Sequence, residues 1–126
     1  MAVGKPRVLV VDDELLVLHA LRRILSLSHD VITDLSPVNA LRRFDAGERW
    51  DYVVSDVMMP EMDGVEFVGY LLGKCSELRG RVVLITGGAL SSEHEAWAGL
   101  HGISVLYKPL EIEVLRGLLS SPGSGN

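Results

Sequence analysis

The sequence predicts an α/β fold in which a doubly wound, five-stranded parallel sheet carries helices on both faces. Two features of the 126 residues support this prediction. Short apolar runs alternate with segments of helical periodicity five times along the chain, which is the pattern of repeated βα units. The apolar runs are also continuous, as is typical of strands buried on both faces of a parallel sheet.

Five apolar runs are predicted to form the strands. The first, at residues 7–11, stops at two acids, and the second, at residues 30–35, is interrupted by acids. We expect the second strand near an edge of the sheet, where acidic side chains are tolerated. The remaining strands are predicted at residues 52–56, 81–85 and 103–107. Each run is followed by a helical pattern, and this order makes the sheet parallel.

Helices are predicted at residues 14–27, 36–47, 64–73, 91–102 and 110–119. Ser36 before Pro37 indicates a helix start, because serine caps free amide groups and proline fits the first turn. Asp63, before Gly64, and Ser91 or Ser92 are interpreted in the same way, as turn or cap residues. The first helix has apolar residues at helical spacing that predict a broad buried stripe: Leu15, Leu18, Leu21 and Leu25, with Leu16, Ala20 and Ile24 beside them.

Composition limits the class of protein. With 48% hydrophobic and 23% charged residues the chain is one globular domain, for which we expect residues 1–120, with 121–126 as a flexible tail. A net charge of −5 without a long Lys or Arg run argues against a nucleic-acid-binding face. The single cysteine, Cys75, excludes an internal disulfide and a zinc–thiolate cluster and indicates a reducing compartment. No apolar run approaches the roughly 20 residues that span a bilayer, so we expect a cytoplasmic protein without membrane contact.

Four of the five predicted strands end in side chains that carry chemistry. Asp12 and Asp13 follow the first strand, Asp56 ends the third, Thr86 follows the fourth and Lys108 follows the fifth. Because the carboxyl ends of parallel strands share one edge of the sheet, we expect these five residues to converge there. The sequence therefore predicts one site with three carboxylates, a hydroxyl group and an ammonium group.

Three carboxylates at close range repel one another, so they take up protons or bind a cation. Mg²⁺ suits a few carboxylate oxygens together with water and phosphate oxygens, whereas Ca²⁺ requires more protein oxygens. A lysine beside these acids is useful when a phosphoryl group joins them, because the ammonium group neutralises its oxygens. A carboxylate can then act as the nucleophile and form an aspartyl phosphate, and Asp56 is the best placed candidate.

With these residues in this order, the sequence resembles the receiver domain of two-component response regulators, from residue 7 to about residue 120. The motifs that carry the resemblance are residues 10–14, 56–64, 86–87 and 108–109. Each motif is weak alone, but four in the right order at strand ends form a specific pattern. The resemblance implies a flavodoxin-like (βα)5 fold of the CheY-like superfamily, and a signalling domain that assists its own phosphorylation and dephosphorylation instead of an ordinary enzyme.

The resemblance also implies a role for each matching residue. Asp56 would be the phosphoacceptor. Asp13, Asp56 and the backbone carbonyl of Met58 would bind Mg²⁺ directly, with Asp12 acting mainly through water. Thr86 and Lys108 would each contact a phosphoryl oxygen, and the peptide bond between Lys108 and Pro109 would be cis.

The partners implied by the resemblance are a sensor histidine kinase or a phosphotransfer protein, and a downstream protein bound through the fourth helix, fifth strand and fifth helix. A monomer or weak homodimer is expected, and no direct contact with nucleic acid. The chain could be a single-domain regulator, a fragment of a longer regulator or the receiver of a hybrid histidine kinase. A kinase activity would apply only in that last case.

One position departs from the pattern of the family. The family often has an aromatic residue three positions before the lysine, where this chain has Val105. The aromatic residue is Tyr107 instead, two positions later and on the same side of the strand. Two interpretations are open for Tyr107, a switch residue or a packed strand aromatic, and the chain departs here from the usual relay of threonine and aromatic residue.

Three other kinds of protein share part of this pattern. A haloacid-dehalogenase-type phosphatase also uses Asp, Thr, Lys and Mg²⁺, but it needs an acid two residues after the nucleophile, where this chain has Met58. A dinucleotide-binding domain would need a glycine-rich fingerprint after the first strand, and none follows it. A degenerate receiver, acting as a phosphorylation-independent interaction module, is the remaining alternative, against which the full acid, threonine and lysine set argues.

Several other conspicuous residues receive ordinary interpretations. Arg42 and Arg43 are predicted to be solvated, and Trp97 is predicted either to belong to a partner-binding face or to pack in the core. The four histidines share no metal-ligand spacing and are predicted to lie at the surface or at helix ends: His19, His29, His94 and His101.

Overall fold

The computed structural model describes residues 4–120. Its elements follow a strict βα order: β1 (Arg7–Val11), α1 (Leu15–Leu25), β2 (Asp30–Asp34), α2 (Pro37–Asp45), β3 (Tyr52–Asp56), α3 (Gly64–Lys74), β4 (Val82–Thr86), α4 (Ser92–Leu100), β5 (Ser104–Tyr107) and α5 (Ile112–Leu118). A short 3₁₀ turn, Ser76–Leu78, links α3 to β4. The predicted flexible tail, 121–126, lies outside the described residues.

The five strands form one parallel sheet in the order β2-β1-β3-β4-β5. The order reverses beside β1, because β2 pairs with one of its edges and β3 with the other. Open α/β sheets bind ligands at such a reversal, outside the carboxyl ends of the strands. The predicted fold class is therefore confirmed, and β2 is an edge strand as expected.

The core has two layers, one on each face of the sheet. Successive residues of β1 point to opposite faces, so Leu9 packs in one layer and Val8 in the other. Helices α2, α3 and α4 cover the face of Leu9, and α1 and α5 cover the face of Val8. Burial on both faces explains why the strands are continuous apolar runs.

The predicted helix starts are confirmed by their caps. Ser36 accepts a hydrogen bond from the Asn39 amide at 3.0 Å, and Pro37 occupies the first turn of α2. Asp63 caps α3 in a reciprocal arrangement with Glu66. Ser91 caps α4. Within residues 4–120 no helix has both the length and the apolar character needed to cross a bilayer.

The buried stripe predicted for α1 is partly wrong. Leu18, Leu21 and Leu25 are buried, but Leu15 and Leu16 are 52% and 81% exposed, and Ala20 is exposed too. Leu16 and Ala20, one turn apart, lie on the side of α1 opposite to the three buried leucines and face away from the sheet. Leu15 lies in the first turn, directly after the acidic end of β1. Helical periodicity identifies a face, but it does not show where along the helix the sheet ends.

Two polar side chains are also less solvated than expected. The guanidinium of Arg43 donates to Glu48 Oε2 at 2.8 Å and to Asp34 Oδ2 at 3.3 Å, which joins α2 to β2. His29 is buried in the turn between α1 and β2, where its ring nitrogen Nε2 donates to the backbone oxygen of Leu119 at 2.8 Å. Arg43 and Asp34, like His29 and Leu119, come from different elements of the chain, so the local sequence does not indicate these contacts.

Trp97 packs, half-buried, against the core layer formed by α2, α3 and α4. Its ring centroid lies 4.9 Å from that of His101 on the next turn of α4. Of the two interpretations offered for Trp97, the structure supports the packing role.

Candidate functional site

The three predicted carboxylates meet at the carboxyl end of the sheet. Asp12 and Asp13 follow β1, Asp56 ends β3, and these two strands are neighbours. One oxygen from each of the three lies within 4.8 Å of the others. Asp12 and Asp56 are buried, at 1% and 4% exposure, whereas Asp13 is exposed. Topology thus brings together acids that are more than forty residues apart in the sequence.

Lys108 lies against the two buried carboxylates. Its Nζ is 3.5 Å from Asp56 Oδ1 and 3.6 Å from Asp12 Oδ2. The Lys108 amide donates to the Thr86 carbonyl at 2.8 Å, which continues the register between β4 and β5. The peptide bond between Lys108 and Pro109 is cis, as the family resemblance implied.

Burial and mutual repulsion raise the pKa values of the buried acids. Removal from water is the main cause that raises the pKa of Asp56 to about 6, and the charge of Asp12 adds to it, while Lys108 opposes it. Burial also raises the pKa of Asp12. For Lys108, burial acts to lower the pKa, but the charges of Asp12 and Asp56 outweigh it and the pKa is raised. The site therefore holds more negative charge than one ammonium group stabilises.

An unsatisfied oxygen shows that a cation fits this site. Asp12 Oδ1 accepts a hydrogen bond from the Glu14 amide at 2.9 Å, but the buried Oδ2 has no hydrogen-bond partner within residues 4–120. The ammonium group of Lys108, at 3.6 Å, is too distant for a hydrogen bond. Buried oxygens are normally satisfied, and a hard divalent cation binds carboxylate oxygens. The residues present are thus chemically suited to a metal ion.

Thr86 is buried at the end of β4, the strand next to β3. Its hydroxyl donates to the Gly88 carbonyl at 3.0 Å and lies 3.1 Å from the Gly88 amide, which donates to it. The hydroxyl is therefore engaged by its own turn. To donate a hydrogen bond to a ligand, Thr86 would have to give up its bond to the Gly88 carbonyl, since the hydroxyl has one proton to donate.

Gly64 has a structural role at the site that its sequence context does not show. A Cβ atom at this position would overlap with the backbone carbonyl of Asp56, and the Gly64 amide donates to the Val57 carbonyl at 2.9 Å. The start of α3 thus packs directly on the backbone of the residue that carries the central carboxylate. The prediction of a turn and cap at Asp63 and Gly64 is correct but incomplete.

Glu14 contacts Lys108 at the site, and sequence reasoning did not predict this contact. Its Oε1 lies 3.4 Å from Lys108 Nζ, closer than either buried carboxylate. The available signal was its position directly after the acid pair, at the start of α1. Met58 is placed on the loop that follows β3, with an exposed side chain, and the role of its carbonyl stays a prediction.

Tyr107 and Val105 occupy the positions predicted for them on β5. Tyr107 is 47% exposed, and its hydroxyl donates to Glu95 Oε2 at 3.2 Å. Val105 is half-buried against the core. The tyrosine therefore links β5 to the first turn of α4 on the outer surface.

Comparison with known proteins agrees with this geometry. Residues 8–120 match the family described as the response regulator receiver domain. Response regulator MprA of Mycobacterium tuberculosis (strain ATCC 25618 / H37Rv) is 34% identical over 116 residues, which cover 86% of this chain and 46% of that protein. MprA of Mycobacterium avium (strain 104) is also 34% identical, with 47% of its length covered. The chain thus spans about half the length of the curated relatives that it matches.

Solved structures show the same fold. A CheY-like response regulator receiver domain protein from Methanospirillum hungatei JF-1 superposes with a TM-score of 0.82 at 20% identity, over 98% of this chain and all of the other (100%). Chemotaxis protein CheY4 of Vibrio cholerae superposes with a TM-score of 0.77 at 27% identity, over 92% and 97% of the two chains. With strands, switch point and acidic site in the expected places, the chain belongs to the response regulator receiver domain family of two-component systems.

Proposed function

We propose that this receiver domain accepts a phosphoryl group on Asp56 from the phosphohistidine of a histidine kinase or phosphotransfer protein, with Mg²⁺, and thereby changes its affinity for a downstream protein. The domain is assigned to residues 1–120. The single observation that carries the proposal is the convergence of Asp12, Asp13 and Asp56 oxygens within 4.8 Å of one another, with Lys108 3.5 Å from Asp56.

The covalent step is a transfer between two nucleophiles. An Asp56 oxygen attacks the phosphorus atom, a P–O bond forms, and the P–N bond to the histidine breaks. The leaving imidazole takes up a proton. With its pKa raised to about 6, Asp56 is largely ionised at neutral pH, as a nucleophile must be. The product is one modified Asp56 per protein, so the domain acts as a stoichiometric acceptor.

Lys108 and Thr86 would stabilise the transferred group. The Lys108 ammonium lies 3.5 Å from Asp56, where it can neutralise charge on a phosphoryl oxygen. Thr86 would donate its hydroxyl proton to another phosphoryl oxygen, which requires it to leave the Gly88 carbonyl. That exchange of partners would couple the phosphoryl group to the loop between β4 and α4.

Asp12, Asp13, Asp56 and the Met58 carbonyl would hold the metal ion, with Asp12 acting mainly through water. When bound, Mg²⁺ supplies positive charge that offsets the charge of the phosphoryl oxygens. The unsatisfied Oδ2 of Asp12 supports this assignment, because a buried carboxylate oxygen without a partner is costly.

The downstream partner would bind the surface formed by α4, β5 and α5. β5 is an edge strand, and Tyr107 on it contacts Glu95 of α4, so the surface spans two linked elements. A cytoplasmic location and a monomeric or weakly dimeric state are proposed with it.

The test is intact mass spectrometry after incubation with acetyl phosphate and Mg²⁺. Wild type should gain the mass of one phosphoryl group, and Asp56→Asn should gain none. An adduct that persists in Asp56→Asn would refute the assignment of the acceptor. Failure of wild type to react with any donor, with the site intact, would favour the alternative of a phosphorylation-independent interaction module.

A further inference from the structure

Charged side chains are segregated between the two ends of the sheet. All but one of the twelve Lys and Arg residues lie in the last turns of helices or just before or at the start of strands, at the amino end of the sheet. The exception is Lys108. The acids at the same end are fewer: Asp30, Asp45, Glu48, Asp51 and Glu77. The amino end is therefore positively charged in a chain whose net charge is −5.

Helix dipoles explain the placement of these cations but leave their charge in place, since the C-terminal end of a helix carries only a partial negative charge. Several of the side chains are held by neutral acceptors. Arg22 donates to Thr33 Oγ1 at 3.0 Å, Arg49 to the Phe44 carbonyl at 2.8 Å and Arg79 to the Leu100 carbonyl at 3.2 Å. None of these three makes an ion pair within residues 4–120. Their guanidinium groups are held in position while their charge remains available.

An open cavity of about 590 Å³ lies in this surface, between the starts of β3 and β4. Three arginines line it, Arg7, Arg49 and Arg81. Arg7 is paired at 3.8 Å with both Asp30 and Glu48, whereas Arg49 and Arg81 make no ion pair within residues 4–120. Arg81 stacks over the Tyr52 ring, with 5.4 Å from its Cζ to the ring centroid. Trp50 also lines the cavity, so it combines fixed positive charge with an apolar wall.

A second open cavity, of about 520 Å³, also has Arg7 in its lining. Its lining includes Lys5, Arg22 and the buried His29. Two adjacent cavities that share an arginine form a groove along the amino ends of β1, β2 and β3. The groove suits an extended ligand better than a compact one.

We infer that this basic groove is a docking site for an acidic peptide segment of a partner protein. Guanidinium groups pair with carboxylates through two parallel hydrogen bonds, so fixed arginines favour spaced Asp or Glu side chains. Asp51 and Glu77 line the same cavity as Arg81. A nucleic acid, with a phosphate at every residue, would place charge against these acids, whereas a peptide can place an amide or an apolar residue there.

The groove lies at the opposite end of the sheet from Asp56. A partner could therefore occupy it while the carboxylate site stays open to a phosphodonor. Docking here would be independent of phosphorylation, and the inference goes beyond the proposed function and does not depend on it.

Fluorescence anisotropy with a short fluorescein-labelled polyglutamate peptide tests the inference. Arg49→Gln and Arg81→Gln should each weaken binding about fivefold, and the double variant about twentyfold, which is the loss expected for charge-assisted contacts. Arg23→Gln is the matched control, since Arg23 is exposed at the end of α1, lines neither cavity and carries the same charge. It should bind the peptide like wild type. Arg81→Lys, which keeps the charge but loses the paired hydrogen bonds of the guanidinium group, should weaken binding less than Arg81→Gln but more than Arg23→Gln.

Three results would overturn the inference. One is the absence of peptide binding by folded wild-type protein at low ionic strength. Another is an equal loss of affinity in Arg23→Gln and Arg81→Gln, which would indicate a general field effect. The third is tighter binding of single-stranded DNA than of the peptide, with the same response to the variants. Phosphorylation of Arg81→Gln by acetyl phosphate, measured in parallel, should match wild type, so a failure of the phosphoacceptor proposal would be recognised separately.

Discussion

Replacing Asp56 by asparagine should stabilise the metal-free protein at neutral pH. The carboxyl group is buried between other charges, and its pKa rises from the usual 3.8 to about 6. By the linkage between pKa and stability, ionising this group in the folded state costs of the order of 3 kcal/mol. The pKa of about 6 already includes the opposing effect of Lys108, but the asparagine amide replaces the hydrogen bonding of the neutral carboxyl group only in part, which offsets about 1 kcal/mol of the gain. We expect a net increase of about 1–2 kcal/mol in the free energy of unfolding.

The pH dependence follows from the direction of the pKa change. A carboxyl group whose pKa is higher in the folded state destabilises the fold when ionised, so the cost is complete above pH 6 and absent below pH 3.8. The advantage of Asp56→Asn should therefore shrink as the pH falls from 7.5 towards 4. Added Mg²⁺ should reverse the order, because it stabilises the folded wild type more than a variant that lacks one proposed ligand.

Urea denaturation followed by circular dichroism, in EDTA or in excess Mg²⁺, measures these differences. Glu77→Gln is a suitable control, since it removes an exposed carboxylate at the far end of the sheet and should change stability little. The reasoning would be refuted if Asp56→Asn were less stable than wild type in EDTA at pH 7.5. An advantage that did not decrease at lower pH would refute it equally.

Three further variants separate the roles of the site residues. Asp13→Asn should weaken Mg²⁺ binding by about tenfold or more, since it removes a charged ligand, and unchanged affinity in titration calorimetry would contradict this. Lys108→Ala should bind Mg²⁺ at least as well as wild type, because the ammonium group 3.5 Å from Asp56 competes with a cation. Its spectral response to phosphorylation should be smaller than that of wild type. A full response would count against the role proposed for Lys108. Gly64→Ala should destabilise the protein by about 1–3 kcal/mol, as overpacking does. Gly73→Ala in the same helix, where a Cβ atom meets open space, should be neutral or stabilising. Equal effects of the two substitutions would contradict the contact between Gly64 and the Asp56 carbonyl.

The topology and the composition of the site could be predicted because both depend on local patterns. Continuous apolar runs alternating with helical periodicity require a parallel sheet, and a parallel sheet places all carboxyl ends of its strands at one edge. That rule alone brings Asp12, Asp56, Thr86 and Lys108 together without any knowledge of distances. The structure places them as predicted, with Lys108 between the two buried acids.

Other properties depend on how the helices dock on the sheet, and local sequence does not encode them. The predicted broad stripe of α1 could not show that only Leu18, Leu21 and Leu25 are buried, or that Arg43 reaches Asp34 between α2 and β2. The steric need for Gly64 exists only because α3 begins against the Asp56 carbonyl.

The amino-acid sequence therefore determined the parallel direction of the strands, and with it which chemical groups share an edge. Only the folded arrangement decided which of those groups are buried, which oxygen of Asp12 lacks a partner and how far the pKa of Asp56 rises. The physical reason is that strand direction follows from local periodicity, whereas desolvation and Coulomb interaction depend on distances between elements far apart in the chain.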